Sequence, residues 1–304
     1  MQETMKLGIC CVYFYGEDGD WLLPLQLHFI AQTLDRYNYT VYAAANRLKP
    51  DLLKVLAGTP NIRIVDLPHC EERANSEHAF YLDKLLQSAY ADGCSHLVAL
   101  DSDSFPIKDN WPDILLNQMN GRIRFAAALR KENEDTHLPH PCGYFMTREF
   151  YGERQPELLP KKTGTPDKSF QDFIRTTGQR IDTGIGYGHA LWRYNEQWLP
   201  LLRSNQVNPH FLMAGIYGDI FFHLGASSRQ PTFHLDHKLR ASLRLSSKLQ
   251  RFPYLWRLGA ILERIYLRET EASFKKIAEY LKHDPDSFLA TLRGQHVNPK
   301  TDSN

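Results

Sequence analysis

Nowhere in this chain do about 18 apolar residues run together, so no membrane-spanning helix is expected. The opening residues Met1-Gln2-Glu3-Thr4-Met5-Lys6 lack a basic start, and the apolar run Leu7–Tyr15 is short, so a secretory leader is not expected either. Charge of one sign is also missing. Thirty-six Lys and Arg stand against 35 Asp and Glu, a formal net charge of +1. Dedicated nucleic-acid binders carry a marked basic excess, and no nucleic-acid partner is expected. Cysteine is sparse and unpatterned: Cys10, Cys11, Cys70, Cys94 and Cys142 form an odd set without a CxxC spacing. That is a poor disulfide framework and a poor zinc site. Reduced, buried thiols packed as small apolar residues are the expectation, which fits a cytoplasmic location. The glycine-rich phosphate fingerprint is absent too: Gly16-Glu17-Asp18-Gly19 is not GxGxxG, which argues against a dinucleotide-dependent dehydrogenase. Internal repeats and low-complexity segments are lacking.

What is present is an ordinary globular composition of 304 residues, 42% hydrophobic and 23% charged, enough for one large domain with an appendage. The first half alternates short apolar runs with helical patterns. Leu7–Phe14 reads as a strand covered on both faces, and Leu22–Tyr37 as a helix with Leu23, Leu27, Ile30, Ala31 and Leu34 on one stripe. Tyr39–Ala45 and Asn61–Leu67 read as strands, with a short helix from Pro50 to Gly58 between them. Ala79–Tyr90 reads as a helix and His96–Leu100 as a fourth strand. Repeated units of this kind predict an α/β fold, a mostly parallel, doubly wound sheet flanked by helices.

Further on, a helix is expected at Trp111–Met119, with strands at Arg124–Leu129 and Cys142–Thr147. Lys161–Lys168 reads as a polar loop suited to a lid, Leu191–Leu202 as helical, and Ile216–Leu224 as one last strand. From Lys238 to Arg268 the chain carries eight Lys or Arg and only Glu263 as an acid, on helical spacing. A soft boundary is placed near residue 235. It divides a catalytic domain (1–235, nucleotide-binding half about 1–107, acceptor half about 108–235) from a basic helical C-terminal appendage (236–304). The tail after Pro299 is expected to fray.

The segment His96-Leu-Val-Ala-Leu-Asp101-Ser102-Asp103 carries the chemistry. Open α/β sheets bind ligands beyond the carboxyl ends of their strands, where Asp101 and Asp103 stand. Residues two apart in extended chain project to one side, and two nearby carboxylates repel unless a cation shares them. A hard, oxygen-bound cation such as Mn²⁺ or Mg²⁺ resolves that, usually with diphosphate oxygens. The blander reading is a plain turn, which Asp and Ser favour.

The strand and DxD arrangement, with the helix Ala79–Tyr90 and Ala91-Asp92-Gly93-Cys94 before it, resembles GT-A glycosyltransferases, especially the family 2-like group. The resemblance covers roughly residues 6–230. It implies a GT-A fold and transfer of a sugar from a nucleotide-sugar donor, by family frequency a UDP-sugar, to an acceptor hydroxyl. It also implies that His223, at the end of a late strand, joins Asp101 and Asp103 as a metal ligand. Tyr13 (with Tyr15), Asn46, Arg47 and Asp66 match the positions that cradle base and ribose, with Ser102 beside the metal and Lys84 within reach of phosphate. Against these stand core packing for the tyrosines, a loop cap for Asp66 and a solvated surface for Lys84. Asp182, in the glycine-rich Arg180–His189 run, is the expected base toward the acceptor, with Glu153, Asp172 and Asp219 competing. Asp219 also suits a sugar hydroxyl.

The basic C-terminal stretch admits three readings: a solvated face packing its leucines, a peripheral contact with anionic lipid at the inner face of the membrane, or else closure over the donor diphosphate or dimerisation. Rival activities are a haloacid-dehalogenase-like sugar-phosphate phosphatase, whose motif is also strand-DxD, and a nucleotidyltransferase. A GT-A domain serving only as a binding module is the non-enzymatic alternative.

Overall fold

The computed structural model describes residues 5–16, 19–160, 167–225 and 241–295. Most of the Lys161–Lys168 loop, the Gly16–Gly19 interior, the start of the basic stretch and the tail after Pro299 lie outside those residues. The chain divides into two compact units, one of residues to Arg203 plus Ile216–His223, the other of Ser204–Gly215 plus Leu224 onward.

The first unit is built on a seven-stranded sheet. In chain order its early elements are β1 (Lys6–Val12), α1 (Leu22–Thr33), β2 (Asn38–Ala44), α2 (Pro50–Gly58), β3 (Ile62–Ile64), α3 (Asn75–Ala91) and β4 (His96–Asp101). There follow β5 (Ser104–Pro106), α4 (Trp111–Met119), β6 (Phe125–Leu129), β7 (His140–Thr147), α5 (Arg148–Arg154), α6 (Lys168–Thr177), α7 (Ile185–Arg193), β8 (Leu199–Leu202), β9 (Gly215–Tyr217) and β10 (Phe221–His223). The large sheet runs β3-β2-β1-β4-β7-β6-β8, and a small one runs β5-β10-β9. Only β7 runs against its neighbours. The fold is therefore α/β, with a mostly parallel sheet flanked by helices.

Strands β1 and β4 are apolar along nearly their whole length because helices cover both faces of the sheet. Leu82, Leu85, Leu86 and Ala89 of α3 pack in one core layer with Cys10 and Ala99, while Ile30, Leu34, Trp111 and Leu115 pack in the other with Ile9 and Val98. All five cysteines are free and buried, as the composition suggested.

Three sequence expectations are corrected. Leu191–Leu202 is not one helix: α7 ends at Arg193 and Leu199–Leu202 is the edge strand β8, where Pro200 is tolerated. The second half of the glycine-rich run, from Ile185, forms the start of α7. Added Cβ atoms on Gly186 and Gly188 would sit 1.8 Å from the Glu157 carbonyl and 2.0 Å from that of His137, so close packing overrides glycine's poor helix propensity. The single strand Ile216–Leu224 is split into β9 and β10 by a turn at Gly218 and Asp219, both with positive φ (60° and 59°) as a type I′ hairpin turn requires. Asn61–Leu67 pairs only at Ile62–Ile64.

In the second unit α8 (Ala241–Gln250) packs on α9 (Trp256–His283), and α10 (Pro285–Leu292) follows with Asp284 capping it through the Ser287 amide. Among the described residues no helix is long and apolar enough to cross a membrane.

Candidate metal and nucleotide site

Strands β1, β2 and β3 are laid down in one direction across the sheet, and β4 then returns to the other side of β1. The crevice between β1 and β4 is the topological switch point of a doubly wound sheet, where ligands bind. Val12 of β1 pairs with Asp101 of β4 at that edge. The first carboxylate thus stands where the chain order reverses.

The Asp101–Ser104 turn is clamped from below. Gln26, fully buried on α1, donates from Nε2 to the Asp101 carbonyl (2.8 Å) and to the Ser104 carbonyl (2.6 Å). Ser104 Oγ donates to the Asp101 carbonyl at 3.1 Å. Ser102 Oγ donates to the Phe14 carbonyl (3.3 Å), and Tyr15 Oη to the Ser102 carbonyl (3.2 Å), which ties the turn to the end of β1. The small sheet completes the site, because β10 pairs antiparallel with β5 and sets His223 opposite Ser104.

His223 Nε2 consequently lies 3.4 Å from Asp103 Oδ1 and 3.7 Å from Asp101 Oδ2. One ligand atom from each of Asp101, Asp103 and His223 lies within 4.8 Å of the others. Two further imidazoles face Asp101: His78 Nε2 of α3 at 3.5 Å and His140 Nδ1 of β7 at 3.7 Å. His140, Cys142 and His223 form a second group of possible ligands that shares His223.

Burial pushes the Asp101 carboxyl up, while His78 and His223 pull it down and Asp103 pushes it up again. Burial opposes charge on His223, yet its imidazole is held well above the ordinary histidine value by Cys142 and Asp103. Burial holds Cys142 up as a thiol, so the carboxylates are the physical source of that attraction.

Asp182 sits at the edge of this arrangement. Its Oδ1 accepts from Asn75 Nδ2 at the start of α3 (2.7 Å) and from the Thr183 amide (2.8 Å). Its Oδ2 lies 3.8 Å from Arg130, just beyond β6. Arg130 donates to buried Asp135 at 3.1 Å. Burial works against the Arg130 charge, but Asp135 and Asp182 outweigh it and hold the guanidinium above its usual value. Burial also pushes Asp135 up, against the pull of Arg130 and Arg180; with the Arg130 guanidinium this close, the ion pair is the state that suits both groups.

The competing acids are engaged elsewhere. Glu153 pairs with Arg124, Asp172 with Arg175 one turn along α6, and Asp219 with Lys108.

The other expected positions are dispersed along the same sheet edge. Arg47 pairs with Glu77 (3.2 Å) and lies over the Phe14 ring. Asn46 donates to the Leu67 carbonyl, and Asp66 is exposed. Tyr13 is only 1% exposed, which leaves no free ring face for stacking on a base, and that expectation is corrected. Lys84 lies six residues beyond His78 on α3, roughly 9 Å along the helix axis, where it bonds Gln87 and lines a cleft of about 1750 Å³ with Asp83, Asn75, Phe170 and Asp182. Sequence reasoning missed Gln26, His78, His140, Arg130 and Asn75. None has a local signal, since each reaches the site only through strand pairing or helix packing.

No family model and no curated protein matches the chain. Solved structures do. The galactosyltransferase LgtC in complex with donor and acceptor sugar analogues is 10% identical, over 66% of this chain and 73% of that one, with a TM-score of 0.40. The mannosyltransferase PcManGT from Pyrobaculum calidifontis, in complex with GDP-Man and Mn²⁺, is 12% identical over 96% of this chain and 80% of its own, TM-score 0.43. A cytidylyltransferase from Leptospira borgpetersenii serovar Hardjo-bovis is 12% identical over 97% and 99%, TM-score 0.42. Likeness at this level assigns no activity.

Proposed function

We propose that the chain is a metal-dependent glycosyltransferase of the GT-A type, moving a sugar from a nucleoside-diphosphate donor, a UDP-sugar by family habit, to an acceptor hydroxyl. The observation that carries this reading is the convergence of Asp101, Asp103 and His223 at the switch point of the sheet. Two carboxylates and an imidazole suit Mn²⁺, and the carboxylates alone suit Mg²⁺. Two carboxylates held this close, with the His223 imidazole between them, fit a cation seat. When bound, the cation neutralises charge on the departing nucleoside diphosphate.

The chain's own groups do the rest. Gln26 fixes the turn that aims both carboxylates, and Ser102 is tied to the end of β1, where the donor enters. Asn46, Arg47 and Asp66 stand at the ends of β2 and β3 for ribose and base, with Tyr15 bridging to the acidic turn. Lys84, in the neighbouring cleft, is assigned no phosphate contact. Asp182, oriented by Asn75 and Thr183, takes the acceptor hydroxyl's proton. Arg130, beside Asp182, also brings positive charge to bear on Asp101.

A phosphatase would need a further acidic group at the cluster. Asp219, the candidate, sits in the β9–β10 turn beside Lys108. A nucleotidyltransferase would need a Gly- and Lys/Arg-rich loop after β1, and Tyr13–Gly19 contains no Lys or Arg.

Calorimetric titration of UDP and GDP, with Mn²⁺ and with EDTA, tests the reading on the wild type and Asp103→Ala. Metal-dependent binding that vanishes in the variant is the expected result. Absence of binding under every condition overturns it and leaves hydrolysis of sugar phosphates as the next assay.

A further inference from the structure

The second unit carries an apolar surface that its own packing does not cover. Helices α8 and α9 close on each other through small groups: Ser246 Oγ donates to the Gly259 carbonyl at 2.9 Å, and a Cβ on Gly259 would sit 2.7 Å from the Ser246 carbonyl. With that seam closed, the large apolar side chains point outward. Phe252, Tyr254 and Trp256, in and beside the turn between the helices, are 58%, 97% and 50% exposed. Leu258, Ile261 and Ile265 continue along α9 at i, i+3 and i+7, a single helical stripe, and each is about half exposed. Soluble surfaces seldom leave so contiguous an apolar patch free.

The charge beside it is of one sign. On a helical wheel Arg257, Arg264 and Arg268 form a stripe roughly 75° from the apolar one, and Lys248 and Arg251 flank the turn. The only acid between residues 245 and 268 is Glu263, which accepts a hydrogen bond from Gln250 at 2.6 Å. An apolar stripe with aromatics and a cationic margin is the pattern of a helix lying in the plane of a membrane interface, with rings at headgroup depth and arginines on anionic headgroups. A second copy of the chain fits less well, because a two-fold contact would bring this basic margin against itself.

We propose that the α8–α9 hairpin docks on the surface of an anionic lipid bilayer without crossing it. Docking draws on Phe252, Trp256, Leu258, Ile261 and Ile265 for depth and on Arg257, Arg264 and Arg268 for charge. The proposal is independent of the metal cluster and stands or falls apart from it.

The full chain is sedimented with vesicles of neutral phosphatidylcholine and with vesicles containing phosphatidylglycerol. Binding to the anionic vesicles, suppressed by high salt and absent on the neutral ones, is expected. Arg257→Gln with Arg264→Gln should weaken it roughly thirtyfold, at about fivefold per arginine. Ile261→Glu should abolish it. Both variants are checked for wild-type circular dichroism, and Trp256→Ala serves as a milder second apolar variant. Equal binding to both vesicle types, or no loss in the arginine variant, overturns the proposal. A concentration-dependent dimer that Ile261→Glu dissociates, without vesicle binding, also overturns it and assigns the patch to a second copy. Metal-dependent UDP binding measured on the same variants separates failure here from failure of the proposed activity.

Discussion

Gln26→Glu is a nearly isosteric change that tests whether the buried amide holds the acidic turn. The amide gives two hydrogens to two carbonyls, at 2.8 and 2.6 Å, from a fully buried position. A neutral carboxyl has one O–H, so one carbonyl loses its donor, at about 1–3 kcal/mol. An ionised carboxylate has none and faces two oxygens, so the folded state must keep the new side chain protonated. Its folded pKa is then raised above the unfolded value of about 4.3. A group so shifted contributes its full stability below the unfolded pKa and loses it as pH rises toward the folded one. Remaining neutral at pH 7 costs about 4 kcal/mol more, from nearly three pK units at about 1.4 kcal/mol each. The variant should therefore be about 2 kcal/mol less stable than wild type near pH 4 and about 6 kcal/mol less stable near pH 7. Thermal unfolding at both values reads this as a gap that widens by on the order of 10 °C. Gln26→Met, which donates nothing at any pH, should show a constant deficit. A Gln26→Glu deficit that is flat with pH refutes the reasoning.

Asp83 offers the same linkage in the native chain. Burial pushes its carboxyl up to about 8, although the Leu158 amide bonds both oxygens at 3.1 and 3.2 Å. With the folded value above the unfolded one, this group's stabilising contribution is present below about pH 4 and is lost as pH rises toward 8. Asp83→Asn, which can still accept from Leu158, should gain on wild type by about 5 kcal/mol between pH 4 and pH 8, from about four pK units at about 1.4 kcal/mol each, measured by guanidinium unfolding; parallel stability curves would contradict it. Asp182→Asn should leave metal-dependent UDP affinity unchanged while turnover falls by about 10²–10⁴. Calorimetry and initial rates on one preparation check both halves, and unchanged turnover removes Asp182 from the reaction.

Much of the fold was legible because periodicity and punctuation agreed. Pro50 and Gly58 bracket α2 as read, and Trp111–Met119 is α4 to the residue. The failures share one cause, tertiary packing that outweighs local preference. Glycine has poor helix propensity, yet Gly186 and Gly188 lie inside α7, because only a residue without a Cβ clears the Glu157 and His137 carbonyls. α3 begins at Asn75, four residues before the apolar stripe that betrayed it. That extra turn carries His78 to Asp101 and Asn75 to Asp182.

Asp101 and Asp103 were legible because a strand end and two like charges define a site locally. His223 was reached only through resemblance, and the structure supplies the missing physical reason. The type I′ turn at Gly218-Asp219 fixes the β9–β10 hairpin, and antiparallel pairing of β10 with β5 then sets His223 beside the acidic turn. Side chains alternate along a strand, so a slip of one residue would carry His223 to the opposite face. Asp219 therefore belongs to the register that delivers the imidazole, as a turn residue beside Lys108. The same logic explains why His140 escaped notice. Its approach to Asp101 exists only because β7 runs antiparallel to β4, with Ala99 opposite Tyr144. No spacing along the chain records that pairing. The acidic half of the cluster is thus written in consecutive residues, and the imidazole half in strand order.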